Sequence, residues 1–290
     1  MTTAGGEPAY YAPDSLAAAR QRLDAADDPV VVAGGQTLML LLRQGFVDAD
    51  ALVDVTEVPS MSGISTADAT ATVGATTTYA DLADHPLADR VGMLGDACAV
   101  IADRQVRNAG TVGGAVCHAD PSFDVLAPLL ALNADLRLVG GDGARRLPLS
   151  EFLVGHMRTA LRAGELLESI RFEVPGPAGG SAYEKHAPVE GGWTTVGAAA
   201  AVEVEDGTVV DARVALTAVG DTTVRARSVE AALAGEPADD DAIEAASGVV
   251  VEDVDPIDDR AGSAAYKRRL AEILVERSLA TARDRAGGDR

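Results

Sequence analysis

The chain has 290 residues, 47% of them hydrophobic, which allows about two folded domains and a sizeable core. Its 45 acidic and 24 basic residues give a formal net charge of −21, which repels nucleic acid and anionic membranes and argues against both as partners. Two isolated cysteines with no CxxC pair exclude a disulfide framework, a zinc site or an iron–sulfur site within the chain.

In chain order, Pro13-Asp14-Ser15-Leu16 opens a helix to about Asp24, with Asp14 or Ser15 as its cap. Val30–Val32 is a short strand, Ala33-Gly34-Gly35-Gln36-Thr37 a turn, Leu38–Arg43 a helix and Ala51–Val55 a second strand, together a β–turn–α–β unit. Ala71–Thr76 reads as a strand, and Thr78 caps the next helix with Asp81 three residues on. Val91–Ala102 and Phe123–Leu132 have helical spacing, with an Asn108-Ala109-Gly110 turn and Thr111-Val112-Gly113-Gly114 between them. Leu136–Val139 is a strand, Ser150 is a candidate cap of a short helix, and Leu167–Val174 alternates as a strand. Pro175–Gly180 is a linker. Beyond it, Trp193–Val204 and Val209–Val219 are strands joined through Asp206-Gly207, a hairpin signal. Helices are expected at Ser228–Leu233, Ala238–Val250 and Ser263 to about Arg283, with Ala286–Arg290 frayed. No apolar run reaches about 18 residues, so no membrane span is expected, and the N-terminus lacks a signal-peptide pattern, so the expected location is cytoplasmic.

Two glycine segments carry the chemistry. Ala33-Gly34-Gly35-Gln36-Thr37-Leu38 places adjacent glycines between a strand and a helix, where bare N–H groups attract phosphate oxygens and Thr37 adds a hydroxyl. Gly110-Thr111-Val112-Gly113-Gly114 repeats the theme, and two such turns suit a diphosphate approached from two sides. Either alone is more often plain loop geometry; their pairing carries the reading. Neither GxGxxG nor GxxxxGK[ST] occurs, which disfavours an ordinary Rossmann or P-loop site.

The segment Val31–Met39 resembles the first FAD motif of the medium subunits of the carbon monoxide dehydrogenase and xanthine dehydrogenase (molybdenum hydroxylase) family. Gln105–Gly114 resembles the second. The likeness continues through Ala119–Asp124, Leu129–Ala134, Glu165–Ile170, Tyr183–His186, Val196–Ala199 and Arg260–Arg269, nearly the whole chain in order. It implies an α+β fold: a PCMH-type FAD-binding domain over residues 1–176, in two α/β subdomains of about 1–57 and 58–176. A C-terminal CO dehydrogenase flavoprotein-like domain follows over 181–290, with a three-stranded antiparallel sheet and helices.

Carried over by residue, the resemblance implies that Ala33, Gly34, Gly35, Gln36, Thr37 and Leu38 wrap the FAD pyrophosphate and that Thr111, Gly113 and Gly114 close on it. Asp124 would accept hydrogen bonds from the adenosine side, Leu167 would pack along the cofactor and Lys185 would sit near it. Trp193 falls where the family places an aromatic residue able to approach the isoalloxazine; a strand-start core residue is the other reading. The chain departs from the family at Ala115, where Asn is frequent, and over Ala187–Gly192, where a Pro-Ala-Ser stretch is usual.

The implied function is electron transfer from [2Fe-2S] clusters through FAD to an external acceptor. The implied partners are a molybdenum-pterin large subunit and a [2Fe-2S] small subunit in a dimer of heterotrimers. A stand-alone FAD-dependent oxidoreductase and a non-catalytic assembly subunit are the rivals. The spacings of His85, His118, His156 and His186 fit no metal motif. His118 has a cofactor contact and a packing role as its two readings. Cys117 is expected to be a small filler, and Ser122 lacks a nucleophile elbow. No catalytic acid or base of the chain's own is expected.

Overall fold

A computed structural model describes residues 7–287. Strand β1 (Ala9–Tyr11), helix α1 (Leu16–Ala25), β2 (Pro29–Val32), α2 (Leu38–Arg43) and β3 (Ala51–Asp54) form the first layer. Its sheet runs β1-β3-β2 with both pairs parallel, so each connection must cross over, and a helix does so each time. Of the two candidate caps of α1 it is the Ser15 hydroxyl that accepts the Ala18 N–H.

The middle of the chain opens on β4 (Ile64–Ala67) and β5 (Thr70–Gly74), then a run of short helices: α3 (Tyr79–Ala83), α4 (Pro86–Arg90), α5 (Gly92–Val100), α6 (Arg104–Ala109), α7 (Val112–His118) and α8 (Leu126–Ala131). There follow β6 (Asp135–Gly140), β7 (Gly143–Pro148), α9 (Leu149–Phe152), the small ribbon β8 (Leu153–Gly155) with β9 (Arg158–Thr159), and β10 (Leu166–Glu173). The antiparallel sheet has the order β4-β5-β10-β6-β7. Every residue of α8 is buried, as an all-apolar helix in the middle of a core must be. The Thr78 cap is present, its hydroxyl accepting the Asp81 N–H at 3.0 Å. Ser150 is not a cap: it sits inside α9, which starts after Pro148 with no side-chain cap.

The last third holds β11 (Gly179–His186), β12 (Val196–Glu205), β13 (Thr208–Thr217) and the two-residue edge strand β14 (Val224–Arg225), in that order and antiparallel. Three long strands thus make the expected sheet, and β14 extends it. Asp206 and Gly207 both have positive φ, 49° and 77°, the geometry that turns a tight hairpin with the twist of its strands. Helices α10 (Arg227–Leu233), α11 (Asp240–Gly248) and α12 (Ala264–Gly287) cover one face. Ala198–Ala201 on β12 and Gly180 on β11 explain how so few aromatics suffice. A Cβ on Gly180 would overlap the backbone of α12 at Ala282, so the helix lies directly on the sheet. The helix runs through Ala286 and Gly287, where fraying was expected; Gly288–Arg290 lie outside the described residues.

This last sheet is sewn to the middle of the chain. The Asp96 carboxylate on α5 accepts the Tyr183 N–H at 3.0 Å and two bonds from Arg285 of α12 at 2.6 and 3.1 Å. Arg225 donates to the Leu130 carbonyl at 3.1 Å and to Asn133 at 2.6 Å.

Candidate functional site

A cleft of about 720 Å³ opens between the first layer, the helical run and the last sheet. All the candidate site residues line it: Ala33 to Leu38, Thr111, Gly113, Gly114, His118, Asp124, Leu167, Lys185 and Trp193. The two glycine segments, 75 residues apart in sequence, touch. A Cβ on Gly34 would overlap the Ala109 carbonyl oxygen and lie 2.7 Å from the Gly110 Cα, and one on Gly114 would meet the Ala33 Cβ at 4.0 Å.

Between β2 and α2 the chain turns on Gly35, whose φ of +67° is the left-handed region glycine enters at no cost. The Gln36 side-chain amide donates to the Gly34 carbonyl at 3.0 Å and closes the turn. The main-chain N–H groups of Gly34, Gly35, Gln36, Thr37 and Leu38 donate to no acceptor among the described residues. Thr37 stands at the N-cap of α2 in helical conformation and its hydroxyl makes no cap bond. Backbone donors without internal acceptors must find water or a ligand. A consecutive run of them at a helix start, with a free hydroxyl, is a cradle for an anion.

The second glycine segment is built differently, which corrects the expectation of a second amide turn. It is the capped first turn of α7. Thr111 is the N-cap and its hydroxyl oxygen accepts the Gly114 N–H at 3.1 Å. The N–H groups of Val112, Gly113 and Ala115 donate to the carbonyls of Thr77, Ala75 and Thr111 at 3.0, 2.9 and 3.1 Å. Gly113 is required because a Cβ there would come within 2.5 Å of both the Cβ and the carbonyl oxygen of Ala75. This segment supplies a close-packed glycine wall and a helix start rather than free donors.

The far wall is polar, buried and paired. Lys185 on β11 donates from its ammonium to Asp124 Oδ2 at 2.8 Å and to the Val100 carbonyl at 3.3 Å. Asp124 Oδ1 accepts the hydroxyls of Tyr183 and Thr194, both at 2.6 Å. Burial, then the adjacent Asp124 charge, pushes the Tyr183 phenol well above its ordinary range, so it stays a donor. Asp124 therefore accepts from three side chains of the chain itself. Beside this cluster runs an aromatic ladder. Phe123 stacks on His118 with centroids 5.4 Å apart and on Trp193 at 5.9 Å and an interplanar angle of 17°. Trp193 is 66% exposed in the loop before β12, which starts at Val196, so the strand-start core reading is wrong. Burial holds His118 below its ordinary value, favouring neutral imidazole. The Cys117 thiol is pushed up to about 12 by burial, an inert filler of the cleft wall.

Tyr79, Phe123, Thr194 and Glu165 line the cleft without having been nominated as site residues. Glu165 takes both Arg145 bonds, at 2.7 and 2.8 Å, and the Arg162 N–H at 2.8 Å, which fixes the entrance to β10 at Leu166–Leu167. Tyr79 is tied to the second glycine segment by its N–H, which donates to the Gly110 carbonyl at 3.0 Å. Nothing in its local sequence marked it, because the contact is made only when α3 folds against α6.

A run of phosphate-type donors without internal acceptors, an aromatic wall and a buried carboxylate–lysine pair in one cleft match the parts of a dinucleotide bearing planar rings. Comparison with known proteins gives the same picture. Residues 4–175 match the family model described as the FAD binding domain in molybdopterin dehydrogenase, and residues 181–282 that of the CO dehydrogenase flavoprotein C-terminal domain. The carbon monoxide dehydrogenase medium chain of Hydrogenophaga pseudoflava is 33% identical over 93% of this chain and 95% of its own. A putative xanthine dehydrogenase FAD-binding subunit of Escherichia coli is 28% identical over 91% and 92%. The solved carbon monoxide dehydrogenase from Hydrogenophaga pseudoflava superposes with a TM-score of 0.93 at 34% identity, covering 98% of this chain and 99% of that one. The chain belongs to the FAD-binding medium-subunit family of the molybdenum-containing dehydrogenases, the flavoprotein subunits of oxidoreductases of the carbon monoxide and xanthine dehydrogenase type.

Proposed function

We propose that this chain holds FAD with the diphosphate on the N–H groups of Gly34 to Leu38 and the Thr37 hydroxyl, closed by Thr111, Gly113 and Gly114. Ala33 and Leu167 flank the cofactor. His118 and Trp193 belong to the aromatic wall, Lys185 faces the cofactor, and Asp124 acts through Lys185. The observation that carries the reading is the run of unpaired main-chain donors facing a glycine wall across one cleft. These donors matter because Lys185 is the sole lysine or arginine among the described residues lining the cleft, and Asp124 already holds it.

When bound, FAD would supply the redox chemistry, taking electrons in from one partner and giving them to another. The chain itself binds, orients and screens the ring. The partners we propose are a molybdenum-pterin large subunit that oxidises substrate and a [2Fe-2S] small subunit that relays electrons, in a dimer of heterotrimers; the relatives' names, a medium chain and a FAD-binding subunit, support the presence of further subunits. We place the division of the chain at residues 1–176 (about 1–57 and 58–176) and 181–290, and the assembly in the cytoplasm; no helix among the described residues is long and apolar enough to cross a membrane.

Titrating the flavin-free chain with FAD and with FMN tests the site. FAD binding at least a hundredfold tighter than FMN is the expected result, since the cradle recognises the bridging diphosphate. Equal affinities, or a chain that stays colourless, would remove the proposal. Co-purification with molybdenum and iron tests the partners.

A further inference from the structure

The Asp124–Lys185 pair does something that FAD binding alone does not ask for. Both side chains are buried, at 8% and 7% exposure, and the pair is joined to the aromatic wall through the backbone. Asp124 follows Phe123, Thr194 follows Trp193, and Phe123 and Trp193 stack on each other. A planar ring that lies against this wall has the pair beside it.

We infer that Asp124 is a potential-setting residue: it cancels the field of the Lys185 ammonium beside the flavin ring and so keeps the cofactor a stronger reductant than a lone lysine would allow. The inference rests on the proposed FAD site. Uptake of two electrons and one proton leaves the ring with one net negative charge. An unpaired ammonium nearby stabilises that charge and raises the midpoint potential; a buried carboxylate opposes it. Here the two are 2.8 Å apart, so the ring meets a dipole rather than a cation. The hydroxyls of Tyr183 and Thr194 hold the carboxylate in place. Asp124 is thus a positioning residue that acts through Lys185, and one of the chain's two lysines is spent on a neutralised site.

Anaerobic spectroelectrochemical titration of the FAD-loaded full chain tests this. Asp124→Asn is expected to move the midpoint to more positive values and Lys185→Gln to more negative ones. Each shift should be at least tenfold in the ratio of reduced to oxidised flavin, about 30 mV for a two-electron couple. The double variant should return to within that span of the unsubstituted chain, because a neutral pair has replaced a neutral pair. A purely structural role would not give shifts of opposite sign. If Asp124→Asn fails to fold, Asp124→Ser, which is smaller and also neutral, carries the same predicted direction. Single variants that move the potential the same way, or an Asp124 variant that leaves it unchanged, overturn the inference. Failure of the FAD site itself would appear earlier, as an unsubstituted chain that binds no flavin.

Discussion

Residues 33–38 and 110–114 look alike in sequence, each a small residue, adjacent glycines and a threonine, yet they fold into opposite devices. In the first the N–H groups of Gly34 to Leu38 are left without acceptors and Thr37 makes no cap bond. In the second every N–H from Val112 to Ala115 is used inside the chain and Thr111 is a working cap. The lesson is that a glycine pair signals close approach, while availability of its donors depends on what packs behind it. The carbonyls of Ala75 and Thr77 stand behind the second segment and accept from it; the first packs on Ala109 and Gly110, but no acceptor among the described residues takes its N–H groups, and it lines the cleft.

Substitutions can break that contrast. The largest effect is expected from Gly34→Ala, whose new Cβ overlaps the Ala109 backbone and forces the two segments apart. A destabilisation of about 3 kcal/mol is expected for such backbone overpacking, with loss of FAD retention. Gly113→Ala meets Ala75 and should cost about 2–3 kcal/mol in urea unfolding, with FAD affinity falling only as the wall shifts. The threonines sharpen the contrast: Thr111→Ala removes a cap and should cost about 1 kcal/mol of stability. Thr37→Ala removes no cap bond, so stability should change by less than about 0.5 kcal/mol while FAD affinity drops severalfold.

The smallest effect concerns pH. Burial depresses the folded-state value of His118 below the ordinary 6.5, so the unfolded chain takes up the proton first as pH falls. The stability tied to its neutral form is complete above 6.5 and lost as pH drops through the lower folded value. His118→Phe should therefore lose less stability than the parent between pH 7 and pH 5 in matched urea titrations. A larger loss in the variant would contradict the assignment.

Much of this was legible in the sequence because it is local. The β–turn–α–β unit, the Thr78 cap and the Asp206-Gly207 hairpin each declare themselves within a few residues, and periodicity placed most strands and helices. Three features were not legible. The start of β12 was placed at Trp193 rather than Val196 because hydrophobic character alone does not separate a strand residue from an exposed wall of a cleft. The consumption of the second segment's donors depends on Ala75 and Thr77, some 37 residues away. The partners of Asp124 were not legible because Tyr183 and Lys185 arrive from β11 and Thr194 from the loop before β12, about 60 to 70 residues on. Pairings of that range are set by tertiary packing and leave no pattern in a single chain.

Amide hydrogen exchange with and without FAD tests the central claim most directly, because it reads the N–H groups themselves. Exchange at Gly34 to Leu38 should be fast in the flavin-free chain and slow at least tenfold when FAD is added, while Val112 to Ala115 should be protected in both states. Unchanged exchange at Gly34 to Leu38 in a chain that holds FAD, or new protection confined to Val112 to Ala115, would contradict the account.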